Sequence, residues 1–268
     1  MGRIPAFTRM NMPQSLPARH KEAVTVPKYS ITLPVEVMPG QSFTIPLSSG
    51  SGEWARLLPN YVSGLTVSLP VDQVHYSKRV PDEVRFVYSG GQLHPVTTPR
   101  KVRYGCVVVA VESPHVHEYT PAFQPIGPLQ NPRTKTRINK YLPGLLNNAP
   151  TTVGITIPDD VDVVMVNPIQ YQTSLVRLWQ PAFRSKMLGT VRNTVWEGLW
   201  SCTHNGALIF QHDFLVRMGF CYRPFLTINA CTAGLKHLVD TTLKAHGFQV
   251  VGVTEHPSYW SRFSRLIP

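Results

Sequence analysis

Four cations stand within eight residues in Arg133-Thr-Lys135-Thr-Arg137-Ile-Asn-Lys140, and no acid occurs between Tyr119 and Pro158. Side chains of an extended chain alternate between its two sides. Arg133, Lys135 and Arg137 would then project together and could track a phosphate backbone or lie on anionic headgroups. Arg100, Lys101 and Arg103 form a second, smaller basic cluster. Near the C-terminus, Trp260, Arg262, Phe263 and Arg265 interleave rings with cations. That mixture suits base stacking or insertion at a membrane interface, and equally the capping of a core. These are the candidate residues for polyanion binding and for membrane or partner contact.

Catalytic patterns fare less well. His115 and His117 would share one face of a strand and could begin a metal site, but a third ligand would have to come from elsewhere. Cys202, His204 and His212-Asp213 supply the residue types of a nucleophile set, yet no elbow or oxyanion-hole glycine pattern flanks them. Asp159, Asp160 and Asp162 follow Pro158, which is ordinary turn chemistry, and the spacing of a calcium loop is missing. No phosphate-cradling glycine loop occurs. The reading is of a protein that binds rather than catalyses, with no cofactor, no metal and no small-molecule substrate.

The totals bound the class. The chain has 268 residues, long enough for one large or two ordinary domains. Its 43% apolar content is ordinary, its 15% charged content is low, and that pairing is not the composition of a disordered chain. The net charge of +11 gathers on residues 1–21 and 119–158, each carrying +4. A surplus placed in this way favours a polyanion partner. The four cysteines form no C-x-x-C pair and read as reduced thiols of a chain that is not secreted. No apolar run approaches the length of a membrane span.

The elements that must position these residues are short. Twenty-five prolines spread along the chain disfavour long helices. The expected fold is mainly β, an α+β arrangement of two β-rich sandwich- or barrel-like halves joined by a basic linker. Residues 1–22 read as a flexible basic arm, 23–120 as an N-terminal β-rich domain, 121–150 as a proline-rich linker and 151–268 as a C-terminal β-rich domain. Cys106-Val-Val-Val-Ala-Val111 reads as a strand covered on both faces. His204-Asn-Gly206 between apolar runs predicts a hairpin. One amphipathic helix is predicted over 232–246, with Thr232 as N-cap and Gly247 closing it.

Two β-rich halves, the Arg133–Lys140 bridge and the helix-then-strand ending over Gly234–Val253 resemble the layout of matrix proteins of negative-strand RNA viruses. The resemblance implies a self-assembling, non-enzymatic shell protein, homo-oligomeric and present in the virion. It would work in the host cytoplasm or nucleus at the membrane periphery, bridging ribonucleoprotein to anionic lipid. The alternative is a viral nucleic-acid-binding protein, of movement or capsid type, with no membrane-shell role.

Overall fold

The structure is a computed structural model that describes residues 29–34, 42–47, 79–120, 124–170, 173, 192–193, 196–201, 203–204 and 207–268. The basic arm over 1–22 and Cys202 lie outside these residues. The described fold is of the α+β class, with more strands than helices. Strands β1 (Tyr29–Pro34) and β2 (Ser42–Leu47) pair antiparallel with each other. The main sheet has seven strands: β3 (Glu83–Ser89), β4 (Gln92–Pro95), β5 (Val107–Ala110), β6 (Val161–Val166), β9 (Leu226–Asn229), β10 (Val250–Val253) and β11 (Leu266–Ile267). Their order is β11-β10-β9-β5-β6-β3-β4. The short strands β7 (Thr203–His204) and β8 (Ala207–Leu208) pair antiparallel where the hairpin was expected, and the turn residues 205–206 lie outside the described set.

The four central strands β10, β9, β5 and β6 are mutually parallel, β11 and β3 flank them antiparallel, and β4 pairs antiparallel with β3. Parallel strands need helical crossovers, which cover both sheet faces, so such strands become buried throughout. Every residue of β5, β6, β9 and β10 is buried accordingly. β3 carries a bulge between Val84 and Phe86. The extra residue sends Val84 to one face and Phe86 with Tyr88 to the other, although all three sit at even positions.

One face packs against helix α1 (Pro132–Asn147), which is followed by the short α2 (Ala149–Val153). The opposite face packs against Trp196, Leu199 and Trp200, against α3 (Ile209–Val216) with the π-helical turn Arg217–Tyr222, and against α4 (Ala233–Ala245). Beyond α3, Arg217 is buried between Asp82 and Asp213, at 2.5 and 3.0 Å, and donates to the carbonyls of Asn167 and Pro168. Asp82 also accepts from Tyr222 and Gln170, so the pair is buried with its hydrogen bonds satisfied.

Two expectations are corrected here. The basic stretch within 121–150 is not an extended linker, because Pro132–Asn147 is helical. Asn131 caps it by accepting from the N–H groups of Arg133 and Thr134, and Pro132 takes the first turn, where a missing N–H costs nothing. Ile138, Leu142, Leu145 and Leu146 repeat at helical spacing and bury one face against the sheet. The strands before and after this helix belong to one sheet rather than to two sandwich- or barrel-like halves, since β6 pairs with both β5 and β3. The helix expected over 232–246 is present as α4, and Gly247 adopts the positive φ of 77° that ends it. Among the described residues no helix is long and apolar enough to cross a membrane.

Candidate functional site

The helix redistributes the cations of the basic stretch. Arg133, Arg137 and Lys140 stand at i, i+4 and i+7 and line one side of α1, while Lys135 sits apart from them. Arg133, Lys135 and Lys140 are exposed. Arg137 is half-buried and donates to the carbonyl of Trp260. Arg133 lies over the Tyr259 ring, 5.1 Å from its centroid. The two candidate segments, far apart in sequence, therefore meet. Trp260 itself is fully buried, with its indole N–H donating to the Glu255 carbonyl at 2.9 Å. It is a core residue and not a contact surface, and the exposed rings of this segment are Tyr259 and Phe263.

The cluster Arg100, Lys101 and Arg103 is largely committed elsewhere. Arg100 and Arg103 both bind the buried carboxylate of Asp162, and Arg103 also pairs with Asp160 at 2.9 Å. Burial alone would raise the Asp162 carboxyl, but the Arg100 and Arg103 hydrogen bonds outweigh it and hold that carboxyl below its usual value. Lys101 is left exposed. Of the residues weighed for catalysis, Cys202 and the side chain of His204 lie outside what the structure describes. His115 and His117 stack ring on ring at 4.8 Å instead of converging, and Asp213 is held by Arg79 and Arg217. Among the described residues no cluster of His, Cys, Asp and Glu is arranged to hold a metal ion.

A different group of residues does converge. α1 covers one sheet face and α4 the other, so the neighbouring strands β5 and β9 send their connections to opposite sides. In open sheets with parallel strands, ligands bind beyond the carboxyl ends at such a point of divergence. Glu112, Ser113, His115 and Glu118 follow β5, Asn167 follows β6 and His256 follows β10, all at the carboxyl ends of these strands. Glu112 has φ 136°, a strained value for a residue with a Cβ. Its buried carboxylate pairs with Arg192 at 3.0 Å and accepts from the N–H of Thr232 at 3.2 Å, tying β5 to the start of α4. Its carbonyl accepts from the Trp196 indole at 3.0 Å. Ser113 Oγ lies 2.7 Å from Thr173 Oγ1.

The polar groups of this crevice are mostly held neutral. Burial, with the neighbouring His117, lowers His115 to about 4. Burial, with the cations Arg192 and Lys236 and with His115 itself, lowers His256 to about 4. His256 Nδ1 lies 2.8 Å from Ser258 Oγ and accepts from the Ser258 N–H at 3.3 Å. Burial pushes the Glu118 carboxyl up to about 8, against hydrogen bonds from the N–H of Leu129 at 2.9 Å and from Asn167 Nδ2 at 3.3 Å. Asn167 is buried, and among the described residues none donates to its Oδ1. An orphan of this kind costs about 1–3 kcal/mol unless something arrives to satisfy it.

The crevice and the cations adjoin. His115 Nε2 lies 3.2 Å from Nδ2 of Asn131, the N-cap of the helix that bears Arg133 and Lys135. His256 starts the turn Pro257–Tyr259 that presents Tyr259 to Arg133. Buried polar groups at the carboxyl ends of the strands are thus adjoined by basic and aromatic side chains. Sequence reasoning missed Glu112, Glu118, Asn167, Arg192 and His256 as a group. The one signal available was positional, since Glu112, Asn167 and His256 each stand shortly after a run of apolar strand residues. Comparison with known protein families, with curated proteins and with solved structures finds no match to this chain.

Proposed function

We propose that this chain binds nucleic acid along the face built by α1 and the C-terminal segment, and takes one base of the strand into the crevice. The observation that carries the reading is the adjacency just described. The cations are tied to the crevice through His115–Asn131 and Arg133–Tyr259. A ligand matched to such a surface has an anionic backbone for the cations and a neutral, planar, hydrogen-bonding group for the buried polar groups. A nucleotide strand has both. Asn167 Oδ1, to which no described residue donates, would accept from a base N–H, and the His256 ring would hydrogen-bond to a base edge.

This keeps the nucleic-acid alternative of the two binding readings. The matrix-type reading drew on two β-rich halves around a basic bridge, and with Pro132–Asn147 helical on a shared sheet that layout no longer argues for it. A second reading, chemistry on the captured base, is favoured by one observation. A carboxyl held near 8 keeps its proton at neutral pH and is a competent general acid, and Glu118 is such a group beside Asn167. Release or mass change of a base in oligonucleotides incubated with the protein, lost in Glu118→Gln, would distinguish it from binding alone.

The binding reading is tested by fluorescence anisotropy of a labelled single-stranded oligonucleotide over a range of salt concentrations. Replacing Arg133, Lys135 and Lys140 together by Gln removes three exposed cations. The slope of log K against log salt should become shallower by about 2, at nearly unchanged thermal stability. An unchanged slope would remove α1 from the interface.

A further inference from the structure

Two large rings are left open to solvent beside the crevice of a molecule that buries Trp196, Trp200, Phe214 and Trp260. Tyr259 is 61% exposed and Phe263 is 67% exposed. Each carries a guanidinium over its face. Arg133 lies 5.1 Å from the Tyr259 centroid, and Arg262 lies 4.7 Å from that of Phe263. Neither ring hangs on a loose loop. The Tyr259 N–H donates to the His256 carbonyl at 2.8 Å and closes the turn Pro257–Tyr259. Around Phe263, Ser261 N–H donates to Ser264 Oγ at 2.9 Å, Ser264 N–H returns to the Ser261 carbonyl at 3.1 Å, and Ser261 Oγ accepts from the Phe263 N–H at 3.2 Å. Ser264 Oγ also donates to Glu255 at 2.9 Å. The segment is anchored to the sheet through Thr254 and Arg265, which exchange two hydrogen bonds.

We infer that Tyr259 and Phe263 form a stacking platform that selects single-stranded over double-stranded nucleic acid. The inference rests on the nucleic-acid reading above and names the form of strand it takes. A base offers a free π-face only when it is not stacked in a duplex, and stacking on protein rings is indifferent to sequence because every base has such a face. The guanidinium over one face of each ring leaves the other for a base and supplies charge for the accompanying phosphate, and preorganised rings lose little freedom on binding. A membrane is the poorer partner for this surface. Interfacial insertion calls for a continuous apolar helix face, whereas Pro257–Tyr259 is a single 3-10 turn and Glu255 stands beside it.

The test measures binding of a pyrimidine oligonucleotide, of the same sequence as a duplex, and of anionic vesicles to the full chain and to Tyr259→Ala, Phe263→Ala and Tyr259→Phe. The parent should prefer the single strand. Each alanine variant should lose about five- to hundredfold on the single strand, and Tyr259→Phe should retain binding. Duplex affinity should hold within about twofold, since phosphate contacts do not use the rings. An equal loss on both forms, no loss on the single strand, or a loss confined to vesicles would each overturn the platform while leaving nucleic-acid binding by the parent intact. A parent that binds neither form of nucleic acid would overturn the underlying reading as well, so the two failures are told apart. Unchanged melting temperatures of the variants exclude misfolding, as both rings are surface groups.

Discussion

Glu118 carries a proton at neutral pH that the unfolded chain would have lost. Its carboxyl is raised from an ordinary value of 4.5 to about 8, chiefly by burial. Its contribution is therefore fully present below pH 4.5 and is lost as pH rises through 8. His115 and His256 act in the other direction. Both are lowered from 6.5 to about 4, so their contribution is present above pH 6.5 and is lost as pH falls through 4. Glu118→Gln keeps an oxygen for the Leu129 N–H and removes the ionisation. It should flatten the decline in melting temperature between pH 4.5 and 8 and leave the acid limb in place. Thermal unfolding across that range checks this, and a decline as steep as the parent's would remove Glu118 as its source.

At the scale of elements, one side of α1 builds the core and the other bears Arg133, Arg137 and Lys140. Leu142 is fully buried against the sheet, and Leu142→Ala should cost about 2–5 kcal/mol in denaturant unfolding. Lys140→Gln, on the exposed side of the same helix, should stay within about 0.5 kcal/mol of the parent. How far such elements can be read from sequence varies for physical reasons. β5 announces itself as an unbroken apolar run because its parallel neighbours and two helical layers cover both faces. α4 is legible in Thr232, its apolar stripe and Gly247. α1 was hidden in plain residues. The spacing of Ile138, Leu142, Leu145 and Leu146 is helical, but the alternation Arg133-Thr-Lys135-Thr-Arg137 imitates an extended chain. Pro143-Gly144, which reads as a stop, is tolerated inside the helix. The bulge in β3 leaves no mark in the sequence, because which face Val84 meets is decided by its pairing with β6.

For the molecule as a whole, a net charge of +11 becomes informative only once the fold shows which cations are free. Arg100, Arg103, Arg79 and Arg217 are consumed in internal ion pairs, whereas Arg133, Lys135, Lys140, Arg262 and Arg265 remain exposed near the carboxyl ends of the parallel strands or along the helix that starts there. The buried polar groups they adjoin were not legible beforehand. Glu112, Asn167, Arg192 and His256 lie in four separate stretches, and only the order β10-β9-β5-β6 brings them to one end of the sheet. The most direct test of base capture follows the side-chain NMR signals of Asn167, His115 and His256. A short single-stranded oligonucleotide is added in one series, and an otherwise identical strand lacking its bases in the other. The account predicts that both strands bind through the cationic side chains, and that only the base-bearing strand shifts the Asn167 amide and the His256 ring. Equal shifts with the baseless strand, or none with either while binding persists, would contradict it.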